Sequence, residues 1–247
     1  RLQKYFRDGA WAERMRVPTE NAIALGPIDP GKAASWCAMG TCLVPFGGWV
    51  AANLRPGESA LVSGATGNFG SAAVAVALAM GASWVVTPGR NEAMLADLVR
   101  RFGDRILPVR LTGNEADDLQ RMLAAAPGPI DCVMDIMPPS VTAATVRAAV
   151  MTVRQNGRVV LMGGVGMLGG EGLDLPYPWI MRNCITIQGV WMYPREAIPQ
   201  MIGLIRAGLL DLGQFDVTEF SLAQANEAVA HAAANGGAFK MTVVRPG

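Results

Sequence analysis

Short apolar runs alternate with stretches of helical period along the middle of the chain, and this alternation predicts a doubly wound parallel sheet. Leu61 and Val62 belong to a buried strand that runs into Gly64, Gly67 and Gly70. The small-residue stretch 71–80 predicts a helix able to pack closely on the sheet. Further strands are predicted at 84–87, 106–109, 132–136, 159–162 and 185–190, with helices at 92–101, 115–125 and 142–153 between them. That makes six strands, the count of a Rossmann fold. Residues 163–178, rich in Gly and Pro, predict a loop. A helix follows at 196–207, with Pro199 in its first turn and Gly208 beyond its end.

The flanks do not continue this pattern. Residues 9–25 predict a strand pair, and the C-terminal segment predicts a helix at 223–235 and a strand at 240–244, so both ends read as parts of a second domain. The helical stretch 31–54 would bridge the two, and Arg55-Pro56-Gly57-Glu58 is the turn into the first sheet strand.

A glycine triplet between strand and helix has a chemical meaning. Gly67 and Gly70 occupy the last two glycine positions of the G-x-G-x-x-G fingerprint, with Ala65 in place of the first. Gly67 lets the backbone approach a pyrophosphate, and the helix N-terminus offers it N–H donors and the positive end of the dipole. Thr66, Asn68 and Phe69 complete the loop. A carboxylate roughly 20 residues beyond the glycines would bind the ribose hydroxyls of NAD. Thr87 stands at that place, followed by Gly89, Arg90 and Asn91, which leave room for a 2′-phosphate and supply a guanidinium, a donor and a helix cap. The expected cofactor is therefore NADP(H) in preference to NAD(H).

Composition narrows the class. A net charge of +1 gives no basis for a nucleic acid or an anionic membrane as partner, so a small-molecule substrate is expected. Cys37, Cys42, Cys132 and Cys184 are scattered without C-x-x-C pairing, against a disulfide framework and in favour of a reducing, cytoplasmic location. Apolar runs are broken by glycine before they reach the roughly 18 residues of a membrane span, so a soluble protein is expected. The chain begins at Arg1, without an initiator Met, which suggests a fragment or the ordered part of a longer protein.

With these motifs in order, the chain resembles the medium-chain dehydrogenase/reductase superfamily, which contains the alcohol dehydrogenases and the quinone (enone) reductases. The resemblance is carried by Gly9-Ala10-Trp11-Ala12-Glu13, Leu54-Arg55-Pro56-Gly57-Glu58, the spacing of Gly64 to Gly70, the segment Asp131 to Asp135, Gly157-Arg158-Val159-Val160, Gly163-Gly164, and the tail Leu222 to Pro246 with Ala225-Asn226-Glu227-Ala228. It implies an α/β fold, a Rossmann doubly wound parallel sheet with remnants of a GroES-like β domain at both ends. The divisions are 1–30 as a remnant of the catalytic domain, 31–54 as a bridging helical segment, 55–208 as the dinucleotide-binding domain and 209–247 as the C-terminal return. The family's N-terminal half with its Gly-His-Glu segment does not occur, and the sole histidine is His231.

The activity implied is hydride transfer, dependent on NADP(H), to or from an alcohol/carbonyl or an enone/quinone substrate. Cys37 matches a catalytic zinc-ligand cysteine of the alcohol dehydrogenase branch, although one thiolate is not a zinc site. Thr41 matches a threonine beside the nicotinamide, and Lys240 a basic residue that reaches the pyrophosphate. Ile136 and Met137 after the fourth strand, Gly163, Gly164 and Val165 after the fifth, and Gly189, Val190 and Trp191 after the sixth lie at carboxyl ends, where open sheets bind ligands. Trp191 and Tyr193 are candidates to line a substrate pocket. No catalytic residue is assignable. The β-branched edge 185–190 implies a homodimer, since equivalent edges of the family meet across a two-fold axis.

Other classes fit less well. A short-chain dehydrogenase needs Tyr-x-x-x-Lys, but Tyr5, Tyr177 and Tyr193 precede Gly9, Met181 and Ala197 at that spacing. A methyltransferase would place an acid after the second strand. A nucleotide-binding module without catalysis, sensory or structural, remains as the alternative.

Overall fold

The computed structural model describes residues 11–246. Gly40–Asp211 form one compact unit, and the described residues up to Met39 together with those from Leu212 onward form a second. Helices α1 (Ala33–Trp36) and α2 (Ala38–Ala51) precede the sheet region. There β1 (Ala60–Ser63), α3 (Asn68–Ala79), β2 (Val85–Gly89), α4 (Glu92–Phe102), β3 (Ile106–Arg110), α5 (Glu115–Ala125), β4 (Ile130–Asp135), α6 (Ala143–Val150) and β5 (Val153–Leu161) alternate strictly. A short helix α7 (Tyr177–Arg182), β6 (Thr186–Gly189) and α8 (Ala197–Arg206) complete the larger unit.

The sheet is parallel, in the order β3-β2-β1-β4-β5-β6, with the reversal between β1 and β4 that defines a Rossmann-like fold. All residues of β1 and β2 are buried, as expected of central strands covered by helices on both faces. On one face Leu61, Val86, Val133 and Val159 pack with Met122, Val146 and Val150 from the covering helices. On the other, α3 buries Gly70 through Leu78, its alanines bringing the helix close to the strands. Trp49 of α2 is fully buried, and its indole N–H donates to the Ala73 carbonyl at 2.9 Å, satisfying its one polar atom. The glycines Gly47 and Gly48 let α2 settle. A Cβ at Gly48 would lie 2.4 Å from Met162 Sδ, and one at Gly47 would lie 2.5 Å from the Met192 carbonyl oxygen.

The amino ends of the strands are tied by polar contacts. Asp131 accepts from the Ser59 N–H and hydroxyl, both at 2.8 Å, and pairs with Arg154 at 2.6 Å. Arg158 pairs with Glu58 at 2.6 Å. These contacts stand at the opposite end of the sheet from the glycine turn.

Several boundaries differ from the sequence reading. β2 continues past Thr87 through Pro88 to Gly89. The proline is tolerated because β1–β2 pairing stops at Leu61–Val86, so that Pro88 pairs with β3 alone. α6 ends at Val150 and β5 starts at Val153, because the apolar run Val150 to Val153 suits either element. There the Thr152 hydroxyl donates to the Ala149 carbonyl at 2.7 Å and closes the helix. α7 begins inside the expected loop, with Pro178 in its first turn, where its missing N–H costs nothing.

The smaller unit contains β7 (Asp216–Ser221), α9 (Ala225–Asn235) and β8 (Lys240–Arg245), with β7 and β8 pairing in parallel across the helix. Among the described residues 11–25, no strand of the pair expected over 9–25 is present. Residues 11–25 hold only a 3-10 turn at Thr19–Asn21, none of them is buried, and an unpaired, uncovered hairpin is marginal in water. Gly9 and Ala10, which belong to that expectation, lie outside the described residues. Among the described residues no helix is long and apolar enough to cross a membrane. The four cysteines are free.

Candidate functional site

β1 delivers the chain into a turn whose glycines have separate tasks. Gly64 has φ +103°, a conformation disfavoured for any side chain, so it makes the tight turn. Sequence reasoning gave that position of the fingerprint to Ala65, which is instead fully buried. Gly70 brings α3 onto the turn, since a Cβ there would fall 1.8 Å from the Gly64 carbonyl oxygen. Gly67 is different. Its φ is −89°, and a Cβ would meet only the Gly64 oxygen at 3.4 Å, an ordinary contact. Neither backbone strain nor packing within the protein requires glycine at 67, which is the N-cap of α3 and is exposed. The space is available to a ligand approaching the helix N-terminus.

A cavity of about 640 Å³ opens over this turn, wholly within the larger unit, across the carboxyl ends of β1, β2, β4 and β5. Of the expected residues, Thr66, Gly67, Asn68, Phe69 and Gly70 line it from the glycine loop. Gly89, Arg90 and Asn91 line it from the end of β2, Ile136 and Met137 from β4, and Gly163, Gly164 and Trp191 from the segments after β5 and β6. Ala65, Thr41, Val165, Gly189 and Val190 are not among the lining residues. Val165 packs on the hydrophobic core, and the Val190 N–H is engaged by the Leu161 carbonyl at 3.0 Å. Lys240 belongs to the smaller unit, where its ammonium pairs with Asp216 at 2.7 Å.

The lining also includes Pro88, Leu111, Pro138, Pro139, Val141, Met162 and Met167, none of them singled out from the sequence. Leu111, Pro138 and Met162 follow strands β3, β4 and β5, so the rule that identified Ile136 would have reached them if applied to every strand. Met167 lies in the glycine-rich loop and carries no such signal.

Extension of β2 moves the strand end, where the sequence reading looks for a carboxylate, from Thr87 to Gly89. Thr87 is buried, with its hydroxyl 3.5 Å from the Leu107 carbonyl, and does not face the cavity; the strand's last residue is Gly89. A Cβ at Gly89 would lie 2.6 Å from Thr66 Cγ2 and 3.2 Å from Leu95 Cδ2, so an acidic side chain here would have to displace Thr66. Arg90 follows on the exposed rim and makes no hydrogen bond or ion pair with a described residue. The nearest acid in sequence, Glu92, is paired with Arg110. Asn91 accepts the Met94 N–H at 3.2 Å and caps α4.

Beneath the other half of the cavity lies Asp135, the last residue of β4 and 3% exposed. Burial pushes its carboxyl up to about 6, against the opposing pull of the Met137 N–H, the Ser63 hydroxyl and the Gly163 N–H.

Cys37 stands at the end of α1 in the smaller unit. Partial desolvation, and then the Glu219 carboxylate, raise its thiol above the ordinary value despite Arg245, the reverse of what a thiolate metal ligand needs. Among the described residues no three His, Cys, Asp or Glu side chains gather as a metal ion would require, so these residues do not fit zinc.

A switch-point cavity over a glycine turn defines a Rossmann-type nucleotide fold. Residues 69–207, more than half of the chain, match the profile of the zinc-binding dehydrogenases, and the chain belongs to that family. No curated protein sequence matches it. Among solved structures it is similar to an alcohol dehydrogenase of Thermus sp. ATN1, with 24% identity over 96% of this chain and 67% of that one and a TM-score of 0.75. It is similar to an alcohol dehydrogenase of Escherichia coli CFT073 complexed with NADH, with 17% identity, 90% and 63% coverage and a TM-score of 0.70. A zinc-binding dehydrogenase of Sinorhizobium meliloti 1021 bound to NADP is also similar, with 18% identity, 83% and 58% coverage and a TM-score of 0.64. At these identities the likeness is one of fold. The chain spans 58% to 67% of the lengths of these three proteins.

Proposed function

We propose that the cavity binds NADP(H) and that the chain forms the cofactor-binding part of an oxidoreductase acting on an alcohol/carbonyl or an enone/quinone pair. The observation that carries this reading is the state of Arg90: an unpaired guanidinium on the cavity rim, beside a strand end that is glycine and where any longer side chain would have to displace Thr66. The guanidinium fork suits phosphate oxygens, and no acid opposes a 2′-phosphate. One relative holds NADH and another NADP, so the fold leaves the choice to such side chains.

When bound, the nicotinamide donates or accepts the hydride. The chain's part is positioning. The first turn of α3 receives the pyrophosphate, Arg90 the 2′-phosphate, and the Ile136–Met137 and Gly163–Gly164 segments hold the nicotinamide half. Trp191, 81% exposed, is placed to cover the site against water. Fluorescence titration is expected to show NADPH binding to the 247-residue chain at least tenfold tighter than NADH. Turnover of simple aldehydes, ketones and enones is expected to be small, because the oxyanion-stabilising groups are not assignable here. Absence of binding by either nucleotide would refute the reading; rapid turnover would show that the chain carries its own catalytic groups.

The same reading includes a cytoplasmic location and a homodimer. β6 is an edge strand of the sheet, with no Pro or Lys within Thr186–Gly189 to block pairing. Size measurement at micromolar concentration is expected to give a dimer, and Ile187→Pro to shift it toward monomer. A wild-type monomer would remove the dimer from the proposal.

A further inference from the structure

The loops after β4 and β5 run side by side beyond the sheet. The Met162 N–H donates to the Asp135 carbonyl and the Gly164 N–H to the Met137 carbonyl, each at 2.9 Å. The Asp135 side chain closes the same junction. Its carboxylate accepts from the Met137 N–H at 3.3 Å and lies against Gly163, whose N–H favours its charged form. Gly163 is glycine for this reason, since a Cβ would lie 2.2 Å from Asp135 Oδ2. From β1 the group is faced by Ser63, its register neighbour, whose buried hydroxyl has no hydrogen-bond partner of ordinary geometry and has the carboxylate as its polar neighbour. From α2 it is faced by no titratable group, and no charged side chain of β1, β5 or the following loops acts on it. Asp135 is thus a buried carboxyl next to Ile136, Met137, Gly163 and Gly164, all of which line the cavity.

We propose that Asp135 is a positioning residue for the nicotinamide half of the site: its carboxylate ties the two loops together, and a nicotinamide nucleotide binds well only while that carboxylate is charged. This rests on the dinucleotide reading above. The charged carboxylate is the stronger acceptor for the Met137 N–H and the better neighbour of the Gly163 N–H, whereas protonation turns one oxygen into a donor and weakens this tie. With the group at about 6, one unit below that value leaves roughly a tenth of the molecules competent, so apparent affinity falls by about tenfold. The sign follows from burial favouring the neutral form: binding is full above the midpoint and is lost as pH falls through it. The adenosine half, held by the glycine loop and Arg90, is not tied to this group.

The test compares NADP⁺ with 2′-phospho-ADP-ribose, which lacks only the nicotinamide, by calorimetry between pH 5 and 8. Both carry the 2′-phosphate, whose own ionisation at about 6 cancels in the ratio of affinities. The ratio is expected to fall about tenfold from pH 7 to pH 5 in the wild type, and to be low and flat in Asp135→Asn, which still binds the fragment. A flat wild-type ratio, or an unchanged inflection in the variant, overturns the role of Asp135 while leaving the dinucleotide site intact. Failure of both ligands to bind the wild type at neutral pH overturns the site itself. Should Asp135→Asn bind neither ligand, Ser63→Ala decides: losing the hydroxyl is expected to move the wild-type inflection to higher pH, and an unmoved inflection overturns the proposal.

Discussion

Gly70→Ala is expected to unfold the larger unit or to lower its Tm by about 8 to 16 °C, the shift that corresponds to a loss of about 4 kcal/mol in a domain of this size. The added methyl would stand 1.8 Å from the Gly64 oxygen, 2.4 Å from its carbonyl carbon and 2.9 Å from the Ala65 nitrogen. All three are backbone atoms, so no rotamer change relieves the clash. α3 would have to lift off the turn, opening the buried face from Gly70 to Leu78. Gly67→Ala provides the contrast. Its methyl meets only an ordinary contact, so Tm should stay within about 2 °C of wild type, while NADPH affinity should fall at least tenfold because the space facing the helix N-terminus is filled. Circular dichroism melts and nucleotide titrations of both variants check this; equal thermal losses, or undiminished binding by Gly67→Ala, would contradict it.

Arg90→Ala is expected to weaken NADPH binding by roughly 10- to 150-fold and leave NADH nearly unchanged. A charge-assisted contact contributes about 1.5 to 3 kcal/mol, and each 1.4 kcal/mol is about tenfold in affinity. Stability should not move, since the guanidinium makes no hydrogen bond or ion pair with a described residue, and its removal leaves nothing buried unpaired. Glu92 stays with Arg110 in the variant. Titrating both nucleotides against wild type and variant decides the matter: equal losses for the two would assign Arg90 to the common pyrophosphate, and no loss would assign it to solvent.

The sheet was legible from the alternation of apolar runs and helical periods, because a parallel sheet buries its strands on both faces and leaves no polar alternation to confuse the pattern. Helix 115–125 was placed to the residue, framed by Asn114 as its N-cap and by the turn after Ala125. Local patterns failed where a long-range contact decides. Thr87 looked like the end of β2 because Pro88 and Gly89 discourage a strand, yet pairing with β3 carries it on to Gly89. Ala65 matched the spacing of the fingerprint, while the turn itself falls on Gly64. Residues 11–25 have a composition compatible with strands but form none among the described residues. Asp135 reads as one acid at the end of a strand, and nothing local announces that Gly163 and Ser63 close over it.

The ion pairs at the amino ends of the strands have a consequence for how such a protein can change. Glu58, Asp131, Arg154 and Arg158 fasten the sheet at the end away from the cavity, and β1 alone separates the two ends by about 13 Å. Sites that far apart with no shared partners contribute nearly independently to the free energy. On the proposed reading of 89–91 as the seat of nucleotide preference, that preference can drift, or be rewritten by design, without drawing on the fasteners, and the sheet can be hardened against heat without touching it.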